Sequence, residues 1–412
     1  MKKVLLILLK LTILGLVVGL FIAGYQFIGH EVIRLSEFLL TSKNLIWIPT
    51  ILCSVILLIG LMIANKFHPG YYGGGIPQIE AYHRGWYVFS PYKMLLFMTV
   101  NSLFAFFGGF LLGSEGPSVS IGSSLGMIGN DVFKDDNKDD VAIGGSAGFA
   151  CAFSSPLAGL CHLIEENKHI LNLKLILKAV YVIGLAFFIS YLVYPHSLLP
   201  YIEVDILPAK FYLVLLLLIL ICVGVSKLYM VLITKVKDLS KRKQFMLYLT
   251  PLLLVLFMIL RRYYPIFVGS GISTLDPTIV DYSLLFIFGV FLFRLIVTSV
   301  NACSNLSGGL VLPTLAIGSL IGILIVKIFC NLIPEIEDFT YIFIVCGMLT
   351  TLAVVTNTPI TSFVLGLKCA PFKAIALPLL MCLVLGMVPF YLLKWENIYH
   401  RLERRLPGYI EH

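Results

Sequence analysis

Long apolar runs recur along the whole chain and alternate with short polar segments. Ten such runs stand out, at residues 4–23, 45–64, 95–112, 173–194, 211–233, 245–260, 284–300, 310–329, 341–355 and 374–393. Several are shorter than the roughly 20 residues that a helix needs to cross a bilayer, and many contain Gly, Pro, Ser or Thr. A broken segment is tolerated at membrane depth only where protein or a water-filled cavity covers its backbone. The pattern therefore predicts an all-α polytopic membrane protein, a carrier or channel rather than a simple anchor.

Composition supports the membrane setting. The 412 residues are 59% hydrophobic and 13% charged, with a mean hydropathy of +0.97, which excludes a single water-soluble globule. The net charge of +8 needs no nucleic-acid partner, because the basic clusters lie at the ends of apolar runs, where topology and lipid headgroups account for them. The clusters at 235–243 and 401–405 are predicted to be cytoplasmic. The nine scattered cysteines indicate neither a disulfide framework nor a metal site, and no cofactor is indicated.

Two polar features near the N-terminal half carry simple expectations. Lys10 interrupts the first apolar run and no small-residue cleavage site follows, so we expect an uncleaved first helix rather than a signal peptide. The acidic run at 134–140 is expected to form a solvated turn between helices.

Glu115 is the strongest candidate for function. It is a lone carboxylate in Gly113-Ser-Glu-Gly-Pro117, directly after an apolar run, and an ionisable group at membrane depth costs roughly 2.5–3.5 kcal/mol or more. The flanking Gly and Pro predict a break, with a new helix that begins near Pro117. A helix N-terminus favours either the carboxylate or an anion in its place. Glu115 therefore either faces a permeation pathway or caps this helix from a loop at the membrane surface.

An internal repeat is the second strong feature. Pro117-Ser-Val-Ser-Ile-Gly-Ser123 corresponds to Pro313-Thr-Leu-Ala-Ile-Gly-Ser319, and further on Phe149-Ala-Cys-Ala-Phe-Ser-Ser-Pro156 resembles Leu352-Ala-Val-Val-Thr-Asn-Thr-Pro359. The two prolines of each half are 39 and 46 residues apart. Two matches in the same order predict a single transmembrane domain, residues 1–412, built from duplicated halves at about 1–205 and 206–412.

Duplicated halves with broken helices are typical of transporters, whose helix ends from both repeats meet at a site near the bilayer midplane. Both ends predicted here, before Pro117 and before Pro313, are N-terminal and would attract an anion. The predicted substrate is therefore an anion. The alternative for the second half is that Gly308-Gly309 only allows close helix packing.

Three ordered motifs resemble the signatures of the CLC family of chloride channels and chloride/proton antiporters. They are Gly73-Gly-Gly-Ile-Pro77, Gly113-Ser-Glu-Gly-Pro117 and Gly308-Gly-Leu-Val-Leu-Pro313. Ser155-Pro-Leu-Ala-Gly159, which runs into Ile164-Glu-Glu166, and Asn397-Ile-Tyr399 resemble two further landmarks. The resemblance covers residues from about 70 to 405. It implies two inverted-topology repeats of broken, tilted helices, a homodimer in lipid, a prokaryotic inner membrane and both termini cytoplasmic. Because the sequence ends soon after Arg405, we expect no cytoplasmic regulatory domain.

The resemblance also implies roles for individual residues. Glu115 matches the gating glutamate, whose carboxylate competes with the anion and takes up a proton. Glu166 matches the internal glutamate that passes protons to the cytoplasm, and Glu165 matches its neighbour. The anion site that it implies is made up of the Tyr399 hydroxyl, the backbone N–H groups of Leu310 and Val311, and the adjoining Gly309 and Gly74.

Three positions depart from the family pattern. Gly74 stands where most chloride-selective members have serine, so one hydroxyl donor to the anion is absent. Ser114 replaces the usual arginine before the gating glutamate, which removes a local positive charge. Val311 replaces an expected phenylalanine. These departures leave the preferred anion open.

The main functional hypothesis is secondary-active exchange of chloride or a related anion for protons, gated by Glu115. The alternatives are a passive voltage- or pH-gated anion channel on the same scaffold and a fluoride-selective variant. The chain contains no His-Glu-x-x-His pair, so an intramembrane hydrolase lacks support and we do not expect an enzyme. Two buried polar residues remain: His162 is either a metal or proton ligand or simply packed, and Arg294 is expected to pair with a carboxylate or a backbone carbonyl.

Overall fold

The computed structural model describes residues 2–42, 46–135, 137–166, 171–243 and 245–409. In these ranges the regular structure is helical, apart from an isolated antiparallel bridge between Gly113 and Gly309. The α-helices are α1 (Lys2–Thr41), α2 (Trp47–Phe67), α3 (Ile76–His83), α4 (Pro91–Gly108), α5 (Glu115–Phe133), α6 (Lys138–Ala152), α7 (Pro156–Glu166), α8 (Leu173–Val193), α9 (Tyr212–Lys243), α10 (Met246–Tyr263), α11 (Leu284–Asn301), α12 (Val311–Phe329), α13 (Thr340–Thr356), α14 (Pro359–Gly366), α15 (Phe372–Tyr391) and α16 (Ile398–Glu403).

Nine helical segments of the described residues are long and apolar enough to cross a membrane. The first is longer than predicted, because α1 continues past residue 23 to Thr41. Polar residues in its second half find partners on other elements: Gln26 donates to Ser114 Oγ at 3.1 Å, and Ser36 donates to the Phe107 carbonyl at 2.7 Å. A helix can therefore stay buried here although its sequence is no longer uniformly apolar.

Five shorter helices, α3, α6, α7, α14 and α16, were not predicted from the apolar runs. None is among the segments suited to cross a membrane. Three of them begin with proline in the first turn: Pro77 in α3, Pro156 in α7 and Pro359 in α14. Such ends are tolerated at membrane depth because the surrounding helices cover them.

The two halves contain the same pair of closely crossed helices, which supports the predicted repeat. In the first half α5 crosses α6, and a Cβ on Gly122 would lie 2.1 Å from the Gly144 carbonyl oxygen. In the second half α12 crosses α13, and a Cβ on Gly318 would lie 2.3 Å from the Gly347 carbonyl oxygen. Small residues allow this close approach of two helix backbones in a membrane. The boundary near residue 205 stays a prediction.

The expectation of a solvated turn at 134–140 is wrong for Asp140. This carboxylate is buried, and the Nζ atom of Lys10 lies 2.6 Å from it and 2.8 Å from Asn130 Oδ1. A buried cation needs such partners, so Lys10, which interrupts the first apolar run, ties α1 to the α5–α6 turn. Residue 136 of this run lies outside the described residues.

The α12–α13 crossing predicts a strong effect of one methyl group. Gly318→Ala should lower the free energy of unfolding by about 1–3 kcal/mol, since its Cβ would overlap the backbone of α13. The matched control is Gly224→Ala in α9, where a Cβ meets nothing within 4 Å and loss of backbone freedom should stabilise by roughly 0.5–1 kcal/mol. Thermal unfolding in detergent measures both, and equal midpoints would contradict the crossing.

Candidate functional site

Three glycine loops meet at the centre of the molecule through backbone hydrogen bonds. The Gly113 N–H donates to the Gly309 carbonyl at 2.9 Å, and the Gly309 N–H donates back at 2.7 Å. The Gly308 N–H donates to the Gly73 carbonyl at 3.0 Å. A Cβ on Gly116 would lie 2.0 Å from the Gly74 carbonyl oxygen. Glycine is therefore required for the loops to touch, and the Gly308-Gly309 pair both packs closely and joins the halves.

Helices α3, α5 and α12 all begin at these loops. Two of them start slightly earlier than predicted, at Glu115 and Val311 rather than near Pro117 and Pro313. Proline is accommodated at the third helical position because N–H groups of the first turn have no intrahelical acceptor. The converging N-termini direct free N–H groups and partial positive charge toward one point.

The Glu115 carboxylate lies at that point. The residue is fully buried. Its Oε2 atom would lie 2.2 Å from a Cβ added to Gly113 and 3.2 Å from a Cβ added to Gly309. The N–H groups of Ser114 and Leu312 are near the carboxylate. Neither oxygen has a hydrogen bond of normal geometry within the described ranges. Complete burial does not fit a cap in a solvent-exposed loop.

A small void of about 10 Å³ lies near the start of α12. It is bordered by Tyr399, Val311 and Glu166. The Tyr399 hydroxyl is buried and has no hydrogen-bond partner among the residues that the structure describes. Its helix, α16, is anchored by Asn397, which accepts from the His400 N–H at 2.7 Å and donates to the Thr356 carbonyl at 3.1 Å. Leu310 precedes α12 and is buried beside Val311. Of the residues that the resemblance assigns to the anion site, Tyr399 and Val311 therefore share one void, and Gly74 and Gly309 both lie against Gly116.

The two neighbouring glutamates at the end of α7 have different surroundings. Glu165 caps α14: its carboxylate accepts from the N–H groups of Ile360 and Thr361, both at 2.8 Å, and from the Thr361 hydroxyl at 2.6 Å. Glu166 instead borders two small voids and lies within hydrogen-bonding reach of Glu80. Glu165 is therefore committed to structure, whereas Glu166 faces the interior of the site.

A cluster of charged residues between α3 and α16 was missed by the sequence reasoning. Glu403 Oε2 lies 3.4 Å both from Arg84 Nη1 and from His400 Nδ1, and Glu80 reaches both Glu403 and Glu166. Burial and the neighbouring carboxylate of Glu166 raise the pKa of Glu80 well above its usual value. Although burial opposes it, bonding to Glu80 and His400 and the charge of Arg84 lower the pKa of Glu403. Glu80 is thus the carboxylate of this pair whose pKa is raised, and Glu403 the one whose pKa is lowered.

On the opposite side of Glu115, a cavity of about 60 Å³ reaches Ser114. Arg261 borders this cavity and donates to Ser36 Oγ and to the Phe107 carbonyl, both at 2.8 Å, and to the Phe106 carbonyl at 3.0 Å. A positive charge is therefore present on this side, although Ser114 replaces the arginine that the family pattern leads one to expect. The charge belongs to Arg261 on α10, about 150 residues after Ser114 in sequence. No local signal in the sequence indicates this proximity.

Arg294 also has its partners on backbone. The guanidinium donates to the carbonyl oxygens of Ile266 at 2.7 Å, Val268 at 2.9 Å and Gly269 at 3.3 Å. The prediction of carbonyl pairing is thereby confirmed, and Arg294 fixes the loop that follows α10. Gly269 also borders the cavity at Ser114.

Comparison with known proteins places the chain in a family. The model of the voltage-gated chloride channel family matches residues 56–388. The chain belongs to this family. It is 30% identical over 380 residues to the H(+)/Cl(-) exchange transporter ClcA of Vibrio cholerae serotype O1, a match that covers 87% of this chain and 80% of that protein. ClcA of Vibrio parahaemolyticus is 28% identical over 375 residues, with the same coverage.

Solved structures show the same fold. The crystal structure of a slow cyanobacterial Cl-/H+ antiporter is similar with a TM-score of 0.86 and 24% identity, over 96% of this chain and 97% of that one. A CLC-type fluoride/proton antiporter is similar with a TM-score of 0.74 and 20% identity, over 96% and 98%. The predicted architecture, two inverted-topology repeats of broken, tilted helices in an all-α membrane protein, is confirmed.

The Glu165 cap predicts a stability effect. Glu165→Ala should lower the free energy of unfolding by about 1–3 kcal/mol, because the two backbone N–H groups at the start of α14 lose their acceptor. Glu335→Ala is the control, since this carboxylate pairs with Lys210 at an exposed position and such pairs contribute about 0–1 kcal/mol. Thermal unfolding in detergent compares them, and a midpoint for Glu165→Ala no lower than that of the control would contradict the capping role.

Proposed function

We propose that this chain carries out secondary-active exchange of chloride for protons across the membrane, with Glu115 as the gate. The position of the Glu115 carboxylate carries the proposal, because a buried acid occupies the point on which helix N-termini converge. An ionised Glu115 occupies that point and excludes an anion from it. A protonated Glu115 no longer competes for the point, so an anion can enter. Movement of the anion and movement of the proton are thereby coupled. The similarity to exchangers named ClcA supports the chemistry.

The proposed anion site lies below Glu115. The Tyr399 hydroxyl and the N–H groups of Leu310 and Val311 donate to the anion, beside Gly309 and Gly74. The unpartnered, buried hydroxyl of Tyr399 supports this assignment, since a buried donor without an acceptor costs free energy that a bound anion would recover.

The proposed proton route enters at Glu166. Its support is that Glu166 borders the same void as Tyr399 and Val311 and lies within hydrogen-bonding reach of Glu80. A passive channel has no need of a second acid on this side, so the arrangement favours an exchanger. Exchange needs no covalent chemistry, and we assign no enzymatic activity or cofactor.

We further propose a homodimer in the inner membrane of a bacterium, with both termini cytoplasmic. The family resemblance supports the dimer and the large exposed apolar surface supports embedding in lipid. Arg405 forms a bidentate pair with Asp238 at 2.7 and 2.9 Å, which joins the C-terminal basic cluster to the one at 235–243 on one side of the molecule. Met1 and residues 410–412 lie outside the described residues, as do the side chains of 241–243.

The first experiment uses Glu115→Gln. Wild-type protein in liposomes with an outward chloride gradient should drive uphill proton uptake, and Glu115→Gln should abolish this uptake while chloride flux continues, because the neutral amide neither carries a proton nor competes as a charge. A pH electrode and a chloride electrode report both fluxes. Wild-type chloride flux without proton movement, and a reversal potential that ignores the pH gradient, would establish a channel instead.

The second experiment addresses Gly74. A Cβ there would make only ordinary contacts, 3.5 Å or more, with Pro77, so Gly74→Ser should fold and supply the absent hydroxyl. We expect chloride to gain relative to nitrate and fluoride by several-fold in liposome efflux, about 1 kcal/mol for one added hydrogen bond. Gly60→Ala, which meets nothing within 4 Å, is the control. Unchanged ratios in Gly74→Ser would remove Gly74 from the anion site, and fluoride outcompeting chloride in the wild type would favour the fluoride-selective variant.

A further inference from the structure

His162 stands between the proposed proton entrance and the anion site. It lies one helical turn before Glu166 on α7, so both side chains are on the same face. The imidazole is 5% exposed and stacks on Phe149, with ring centroids 4.4 Å apart and planes 13° apart. Together with Glu166 and Ile76 it borders two separate voids.

The first void has the size and polarity to hold water. Its volume is about 20 Å³, and a water needs about 10–15 Å³ and two to four polar partners. Its polar walls, besides His162, are supplied by the side chains of Glu80, His83, Ser123, Ser146 and Glu166. The Ser123 hydroxyl is buried and has no partner within the described chain, so a water there would gain a hydrogen bond.

The second void continues from His162 toward the anion site. It measures about 10 Å³, about the size of one water, and reaches Val311 and Tyr399. Its remaining wall is made up of the apolar side chains Ile76, Phe149 and Leu352 and the polar residues Glu166, Thr356 and Thr358. This void lies on the side of Glu166 that leads toward Tyr399 and Val311. Besides Glu166, which gives up the proton, His162 is the titratable residue that borders both voids, and an imidazole can accept a proton on one nitrogen and donate from the other.

We propose that His162 carries the proton between Glu166 and the anion site, through water in the two voids. The inference rests on the proposed exchange and adds a carrier to it. The Glu166 acid loses a proton through the first void to one nitrogen of the neutral ring, which becomes imidazolium. The other nitrogen releases its proton through the second void to the Glu115 carboxylate, which becomes the acid. A half-turn of the ring restores the original tautomer.

The surroundings keep this transfer transient. Burial against Phe149 disfavours a lasting imidazolium, so the ring passes a proton on rather than storing it. The titratable groups that face it are Glu166 on its own helix, Glu80 and His83 on α3, and Tyr399 on α16. The acids on the Glu166 side supply the proton, and the ionised Glu115 draws it onward.

The test is His162→Phe, which keeps the stacked aromatic ring and removes both nitrogens. In liposomes with a chloride gradient, proton uptake should fall at least about tenfold. In the Glu115→Gln background chloride flux no longer requires protons, and there His162→Phe should leave chloride flux unchanged. A fall of chloride flux in that background would show a structural role and overturn the proposal.

His162→Gln separates proton transfer from water binding. The amide can hold a water but cannot carry a proton, so proton uptake should stay as low as in His162→Phe; uptake at the wild-type rate would overturn the proposal. The matched control is His68→Phe, a half-buried histidine whose ring also contacts a phenylalanine, Phe97, at 5.1 Å, and it should transport normally. If the wild type takes up no protons, the proposed exchange itself fails; if it does and His162→Phe does too, only the role of His162 fails.

Discussion

Backbone contact between glycine loops is the constraint on which the rest of the site depends. Gly113 and Gly309 exchange two hydrogen bonds across the two halves, and Gly116 leaves no room for a Cβ. A side chain at Gly116 or Gly309 would push the loops apart, because its Cβ would lie 2.0 Å from the Gly74 carbonyl oxygen or 2.7 Å from the Gly116 nitrogen. The N-termini of α3, α5 and α12 would then no longer point at one another. The partial positive charge of each N-terminus would face solvent or lipid instead of a common point.

The same constraint explains why a carboxylate is stable in a place that water does not reach. Converging helix ends supply N–H groups that cannot follow the acid if it moves, since they belong to a rigid backbone. The site therefore remains favourable to negative charge whether Glu115 or an anion occupies it. Exchange of one for the other costs little reorganisation, and this is a requirement for a gate that must open repeatedly.

Local signals in the sequence were sufficient for the broken helices and for the repeat. Glycine and proline lie at the N-terminal ends of α5 and α12, and the apolar composition of the chain indicates a membrane environment. The sequence could not show contacts between distant segments. Glu165 accepts hydrogen bonds from α14, 195 residues later, and Arg261 on α10 borders the same cavity as Ser114. The Glu80–Glu403 pair also joins α3 to α16, which are far apart in sequence. Side chains of ordinary type make these contacts, so only the packed fold identifies them.

The end of α7 shows how one such distant contact controls the site. Glu165 and Glu166 are neighbours in sequence, but successive residues of a helix point about 100° apart, so they cannot serve the same surface. The three hydrogen bonds from α14 to Glu165 fix the rotation of α7 about its own axis. That rotation turns the face of Glu166 and His162 toward the two voids. The structural role of Glu165 thus orients its neighbour Glu166, and His162 one turn earlier, toward the proposed proton route.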